Sequence, residues 1–197
     1  MRPTLPILLA CALALAGCGP SEPTTPVGVS SAVPEGTVEL SLETTDGRTV
    51  EVADQRGGLL LLFVLATWDG VSQAAMRPVA RFTRAHMDTV VLGVVVQPDA
   101  QTFATMLAET FVPPYTIVFD PRDTVGRGLS DLGPLEAVPS FYMIDASGHI
   151  VARHVGVIAE RDLDAMYQTA LARGGVTSGG DTSATEAPTE REPLTEE

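Results

Sequence analysis

The chain reads as short apolar blocks separated by turn residues, and the spacing inside each block predicts its element. Residues 37–43 and 48–52 alternate around Asp46-Gly47, the pattern of two short strands joined by a tight hairpin. Gly57-Gly58 opens 59–66, a continuous apolar run suited to a strand buried on both faces. From Gly70 to about Met87, Val71, Ala75, Val79 and Phe82 recur at helical spacing. Residues 89–96 form a second buried strand, and Asp99 stands where it would cap a helix running through Glu109. Phe103, Met106 and Leu107 mark that helix's inner side. Residues 115–119 predict a short strand and 123–132 a helical turn or short helix. A hairpin joins 140–145 to 150–155 across Ala146-Ser147-Gly148, and 159–173 reads as a helix closed by Gly174. Buried strands alternating with helices, then closed by a hairpin, predict an α/β sandwich on a mixed sheet.

The two ends follow different rules. Arg2, a short apolar run over 5–14 broken only by Pro6, and Leu15-Ala16-Gly17-Cys18 form a secretory signal over residues 1–18. Small residues just before Cys18 resemble the bacterial lipobox, in which the cysteine is lipidated and becomes the mature N-terminus. Gly19 follows in place of an aspartate, which by the same likeness favours an outer-membrane address over the inner one. Residues 19–36 are rich in Pro, Ser, Thr and Gly, a composition that predicts a disordered tether. Residues 174–197 predict a disordered acidic tail, leaving 37–173 as one folded domain.

Charge and cysteine content narrow the function. Twelve Lys and Arg against 25 Asp and Glu leave a formal net charge of −13, which repels nucleic acid and anionic lipid headgroups. Cys11 and Cys18 are the only cysteines, one inside the signal and one at the lipidation position. The mature domain therefore has no free thiol, no disulfide framework and no cysteine metal site.

Three blocks carry a family resemblance. The run LLLLFVLATW over residues 59–68 resembles the strand of TlpA/ResA-type thioredoxin-fold proteins that leads into the redox helix. Residues 90–96 resemble the next core strand. Residues 137–145, AVPSFYMID, with Gly148-His149-Ile150 and Gly156, are similar to the cis-proline strand, hairpin turn and return strand. The resemblance implies a thioredoxin-like (redoxin, AhpC/TSA-like) α/β fold whose mixed central sheet carries helices on both faces. It also implies a cis bond before Pro139 and a groove for an extended peptide beside Trp68.

The same alignment of motifs breaks at the chemistry. Where the family places Cys-x-x-Cys, this chain reads Asp69-Gly70-Val71-Ser72. Asp69 falls at the attacking-cysteine position and Ser72 at the resolving one, although the spacing to Pro78 leaves Gln73 as the alternative second position. Thiol–disulfide exchange needs a thiolate that attacks and a second thiol that releases it, and oxygen replaces neither. Asp69 is expected instead to be a helix N-cap. The functional expectation is a redox-inactive, lipid-anchored peptide- or protein-binding module of the cell envelope, facing the periplasm or associated with the outer membrane. The alternative is a thiol-disulfide oxidoreductase or peroxiredoxin-like antioxidant, as in the parent family.

Other constellations are thin. His86, His149 and His154 lack metal-ligand spacing and are expected at the surface, so neither metal nor cofactor is expected. No histidine lies near Ser72 in sequence to form a nucleophile–base pair. Gly126-Arg127-Gly128 is too isolated for a phosphate loop. Trp68 reads either as half-buried packing or as a ligand platform.

Overall fold

The computed structural model describes residues 33–176. The signal and lipobox, most of the tether, and the tail after 176 lie outside the described residues. The elements are β1 (Ser41–Thr44), β2 (Thr49–Glu51), β3 (Leu59–Leu65), α1 (Gly70–Ala85), β4 (Thr89–Val95) and α2 (Ala100–Phe111). They continue with β5 (Thr116–Phe119), β6 (Ser140–Ile144), β7 (Ile150–Val155) and α3 (Glu160–Val176).

The strands form one seven-stranded sheet in the order β2-β1-β5-β4-β3-β6-β7. β3, β4 and β5 run parallel, so each junction needs a crossover, supplied by α1 and then α2. β6 returns antiparallel to β3 with Phe63 opposite Phe141, whose rings stack at 5.1 Å. β3 sits near the middle, flanked by β4 and β6, which is why its seven residues are apolar throughout.

Alternation along β3 divides the core in two. Leu61, Phe63 and Leu65 join Val79 and Phe82 of α1, Leu107 of α2, and Leu163 and Met166 of α3. Leu60, Leu62 and Val64 point the other way, toward Leu40, Val52, Val125 and Leu132. The three α-helices thus share one layer. On the second face the helical cover is the 3₁₀ turn Val52–Gln55, supplemented by irregular chain. Gly93 in β4 makes room for side chains of the neighbouring β5 segment, because a Cβ there would lie 2.9 Å from Ile117 and 3.0 Å from Tyr115.

Several local expectations need correction. Residues 123–132 form consecutive turns, with one helical turn where the Arg127 N–H donates to the Asp123 carbonyl but no short helix. The Asp120 carboxylate captures the N–H groups of Arg122 and Val125 and the Thr124 hydroxyl, and Gly128 turns left-handed at φ 67°. These bonds commit to a turn the groups a helix would use. Asp99 precedes α2 but does not cap it. Its backbone is left-handed at φ 54°, whereas a capping side chain requires extended backbone to reach the first-turn N–H groups. α3 runs through Gly174 and Gly175 to Val176, so Gly174 is not its terminator. Val33, at the end of the expected tether, already packs on the second core.

Candidate functional site

β3 ends at Leu65, and the chain turns through Ala66-Thr67-Trp68 into α1 at the C-terminal edge of the sheet. Asp69 is the N-cap, with extended backbone at φ −86° and ψ 122°. Its carboxylate accepts a 2.6 Å hydrogen bond from the Ser72 N–H. The Ser72 hydroxyl and N–H hold the Asp69 carboxyl below the ordinary aspartate range. Asp69 is therefore the cap that its place before Ser72 predicts.

Ser72 is fully buried, and its Oγ accepts from the Ala66 N–H at 3.4 Å. Gln73 points elsewhere, its side-chain amide donating to the Thr67 carbonyl at 2.7 Å. The Thr67 N–H and hydroxyl in turn donate to Gln97 Oε1, tying this turn to the end of β4. The helix mouth thus holds a carboxylate, a buried hydroxyl and an amide. None of these can carry an electron pair between thiols.

Trp68 is 72% exposed, which corrects the half-buried alternative. It lines a 570 Å³ cleft with Ala66, Val96, Leu135 and Val138. The far wall comes from the chain leading into β6, where the Val138–Pro139 bond is cis. The Pro139 carbonyl accepts from the Gly156 N–H at 2.8 Å, and the Ser140 hydroxyl donates to the Ala137 carbonyl at 2.7 Å. Arg153, only 5% exposed, reaches under this wall from β7. It donates to Glu136 Oε1 at 3.0 Å and to the Pro134 carbonyl at 3.2 Å, with its guanidinium over the Tyr142 ring.

The structure thus brings Trp68 together with the residue before Pro139, and Asp69 with Ser72 beside that cleft. Cys18 lies outside the described residues. The sequence pattern missed Gln97, Asp123, Leu135 and Arg153. Those residues are separated from Trp68 along the chain by whole elements, and no local spacing signals them.

The histidines only partly match their surface assignment. His149 is half exposed beside Asp145. His154 is buried against Phe141, 2.7 Å from the Val157 carbonyl, and His86 packs between Phe82 and Tyr167 with Nε2 3.0 Å from Asp164. Aromatic packing from α3 and β6 covers them. Among the described residues no group of three or more His, Cys, Asp or Glu is placed to hold a metal ion. No helix among them is long and apolar enough to cross a membrane.

The redoxin family model matches residues 28–169. A sequence search of curated proteins finds no match. Solved structures similar to the chain include a DsbF homologue from Corynebacterium diphtheriae, at 15% identity and TM-score 0.62, covering 75% of this chain and 96% of that one. A thioredoxin-family thiol:disulfide interchange protein from Chlorobium tepidum is 21% identical, with TM-score 0.54 and coverage of 72% and 99%. The exposed lipoprotein thioredoxin Etrx1 of Streptococcus pneumoniae is 20% identical, with TM-score 0.54 and coverage of 66% and 98%. The mixed sheet, the helix after its central strand and the cis-proline strand are those of the thioredoxin-like fold, and the chain belongs to the redoxin family.

Proposed function

We propose that the protein is a redox-inactive redoxin that binds an extended peptide or envelope protein at the Trp68 cleft. One observation carries this reading: the mouth of α1 is built on an oxygen pair, with Asp69 capping the helix and Ser72 buried beneath it. Neither of the chain's two cysteines lies within residues 33–176, so the attack and release steps of disulfide exchange lack an atom to perform them. The open, apolar cleft beside that mouth needs no sulfur to function. An exposed tryptophan over a concave apolar wall is a feature that folding alone does not favour.

The lipobox-like Cys18 supports lipid anchoring in the cell envelope, and the solved relatives include a protein named as an exposed lipoprotein. The competing reading is thiol–disulfide exchange or peroxide reduction, favoured by the name of the Chlorobium relative.

Binding is tested through Trp68, the chain's only tryptophan. Degenerate decapeptides titrated into the full chain are expected to shift its emission to shorter wavelength and to saturate. Replacing Val138 by Glu, which puts a charge on the cleft wall, is expected to abolish the shift. An emission spectrum indifferent to every peptide contradicts the binding reading.

A further inference from the structure

The Trp68 cleft does not end at its apolar floor. Through shared Val96, Gln97, Pro98 and Asp123 it continues into a second cleft of 390 Å³ along the C-terminal edge of the sheet. The charge on this composite groove has one sign. Asp123 is the charged residue of the first cleft, and Glu43, Asp99 and Asp120 join it on the second. No basic residue lines either; Arg122 and Arg127 belong to the same segment as Asp123 but are on neither lining.

The acids divide by employment. Asp120 is committed to its turn through Arg122, Thr124 and Val125. Asp99 and Asp123 both have left-handed backbone, at φ 54° and 53°, and the Asp99 carboxylate makes no capping bond to the helix it precedes, whose Phe103 N–H donates to the Asp99 backbone carbonyl instead. No salt bridge among the described residues involves Glu43, Asp99 or Asp123. At Gly126, on the lining of the first cleft, the space a Cβ would fill is taken by the Asp123 carboxylate. An apolar slot beside an exposed indole therefore passes directly into a trough of uncompensated negative potential.

We infer that the occupant is an extended polypeptide segment in which an apolar side chain is flanked by lysine or arginine. This rests on the peptide-binding reading above and adds its selectivity. The apolar side chain enters beside Trp68, Leu135 and Val138, and the flanking cation meets Asp123 and Asp99. A segment with acidic flanks meets the same carboxylates as repulsion, so the groove selects by rejection as well as attraction.

The test uses the full chain and Trp68 emission at physiological salt. Three decapeptide pools are degenerate in their flanks and fixed at the centre as Lys-Leu-Lys, Gln-Leu-Gln or Glu-Leu-Glu. The expected order of affinity is basic, neutral, acidic, with roughly fivefold between the extremes for partly exposed charge pairs. The double variant Asp99→Asn, Asp123→Asn is expected to bring the pools to within about twofold while emission still responds. Equal affinity for all three pools, or a basic preference unchanged in the double variant, overturns the charge assignment and leaves the peptide-binding reading standing. Silence from every pool overturns both.

Discussion

The carboxylate of Asp69 accepts a 2.6 Å hydrogen bond from the backbone N–H of Ser72, closing the first turn of α1. The bond satisfies one of the donors every helix leaves free at its start, and it places negative charge at the positive end of the helix dipole. Replacing Asp69 with Ala is expected to cost about 1 kcal/mol of stability, read from urea unfolding.

The same bond has a pH signature. Because the folded state holds the Asp69 carboxyl below its ordinary range, its stabilisation is fully present above the unfolded value, about 3.9, and is lost as pH falls through the folded one. Asp120 and Asp145 act in the same direction, since the hydrogen bonds each accepts outweigh the upward push of burial. The melting temperature is expected to fall steeply below about pH 4 and less steeply in Asp69→Asn, which keeps an acceptor but does not titrate. Parallel melting curves for the two proteins across pH 6 to pH 3 would contradict that assignment.

Arg153 holds the wall opposite Trp68 through Glu136 and the Pro134 carbonyl. Its side chain is buried, so Arg153→Ala removes packing against Tyr142 as well as two hydrogen bonds. A loss of about 2 kcal/mol is expected in urea unfolding, with weaker peptide response at Trp68. Glu136→Gln, which keeps an acceptor at a mostly exposed position, is expected to lose less than half as much.

Val112 ends α2 in left-handed backbone at φ 41° and ψ 57°, a conformation that a β-branched side chain resists. It is 77% exposed, so little burial offsets the strain. Val112→Gly is expected to stabilise the protein by about 1 kcal/mol, measured as a higher urea midpoint at unchanged slope.

Sulfur placed at the two oxygen positions tests whether the scaffold is otherwise intact. Asp69→Cys with Ser72→Cys puts a thiol at the helix N-terminus, where its pKa is lowered, and a second thiol one turn in. Insulin reduction is expected to appear in this variant and not in either single replacement.

What the sequence disclosed, and what it withheld, follows from how far each feature depends on distant chain. The runs at 59–66 and 89–96 are readable because strands buried on both faces are nearly continuous apolar runs, as β3 is throughout and β4 is after Thr89. Asp69 was readable as a cap because its partner is three residues away. Asp99 has the same local look, yet its backbone is left-handed and its side chain caps nothing, leaving the residue on the lining of the groove. The turns at 123–132 are set by bonds that come from Asp120, outside that window. His154 and Arg153 are adjacent in β7 and both buried, since α3 covers one face and the loop around Glu136 the other. The cleft itself was legible only through resemblance, because its walls meet from positions 66–68, 96–98 and 123–138.

The most direct test of redox inactivity is insulin reduction by the chain carrying Cys11→Ser and Cys18→Ser, followed as turbidity with dithiothreitol as electron donor. Precipitation no faster than with dithiothreitol alone is the predicted result. Catalysed precipitation that rises with protein concentration would contradict the account, because it would show disulfide exchange proceeding at a helix mouth made of Asp69 and Ser72.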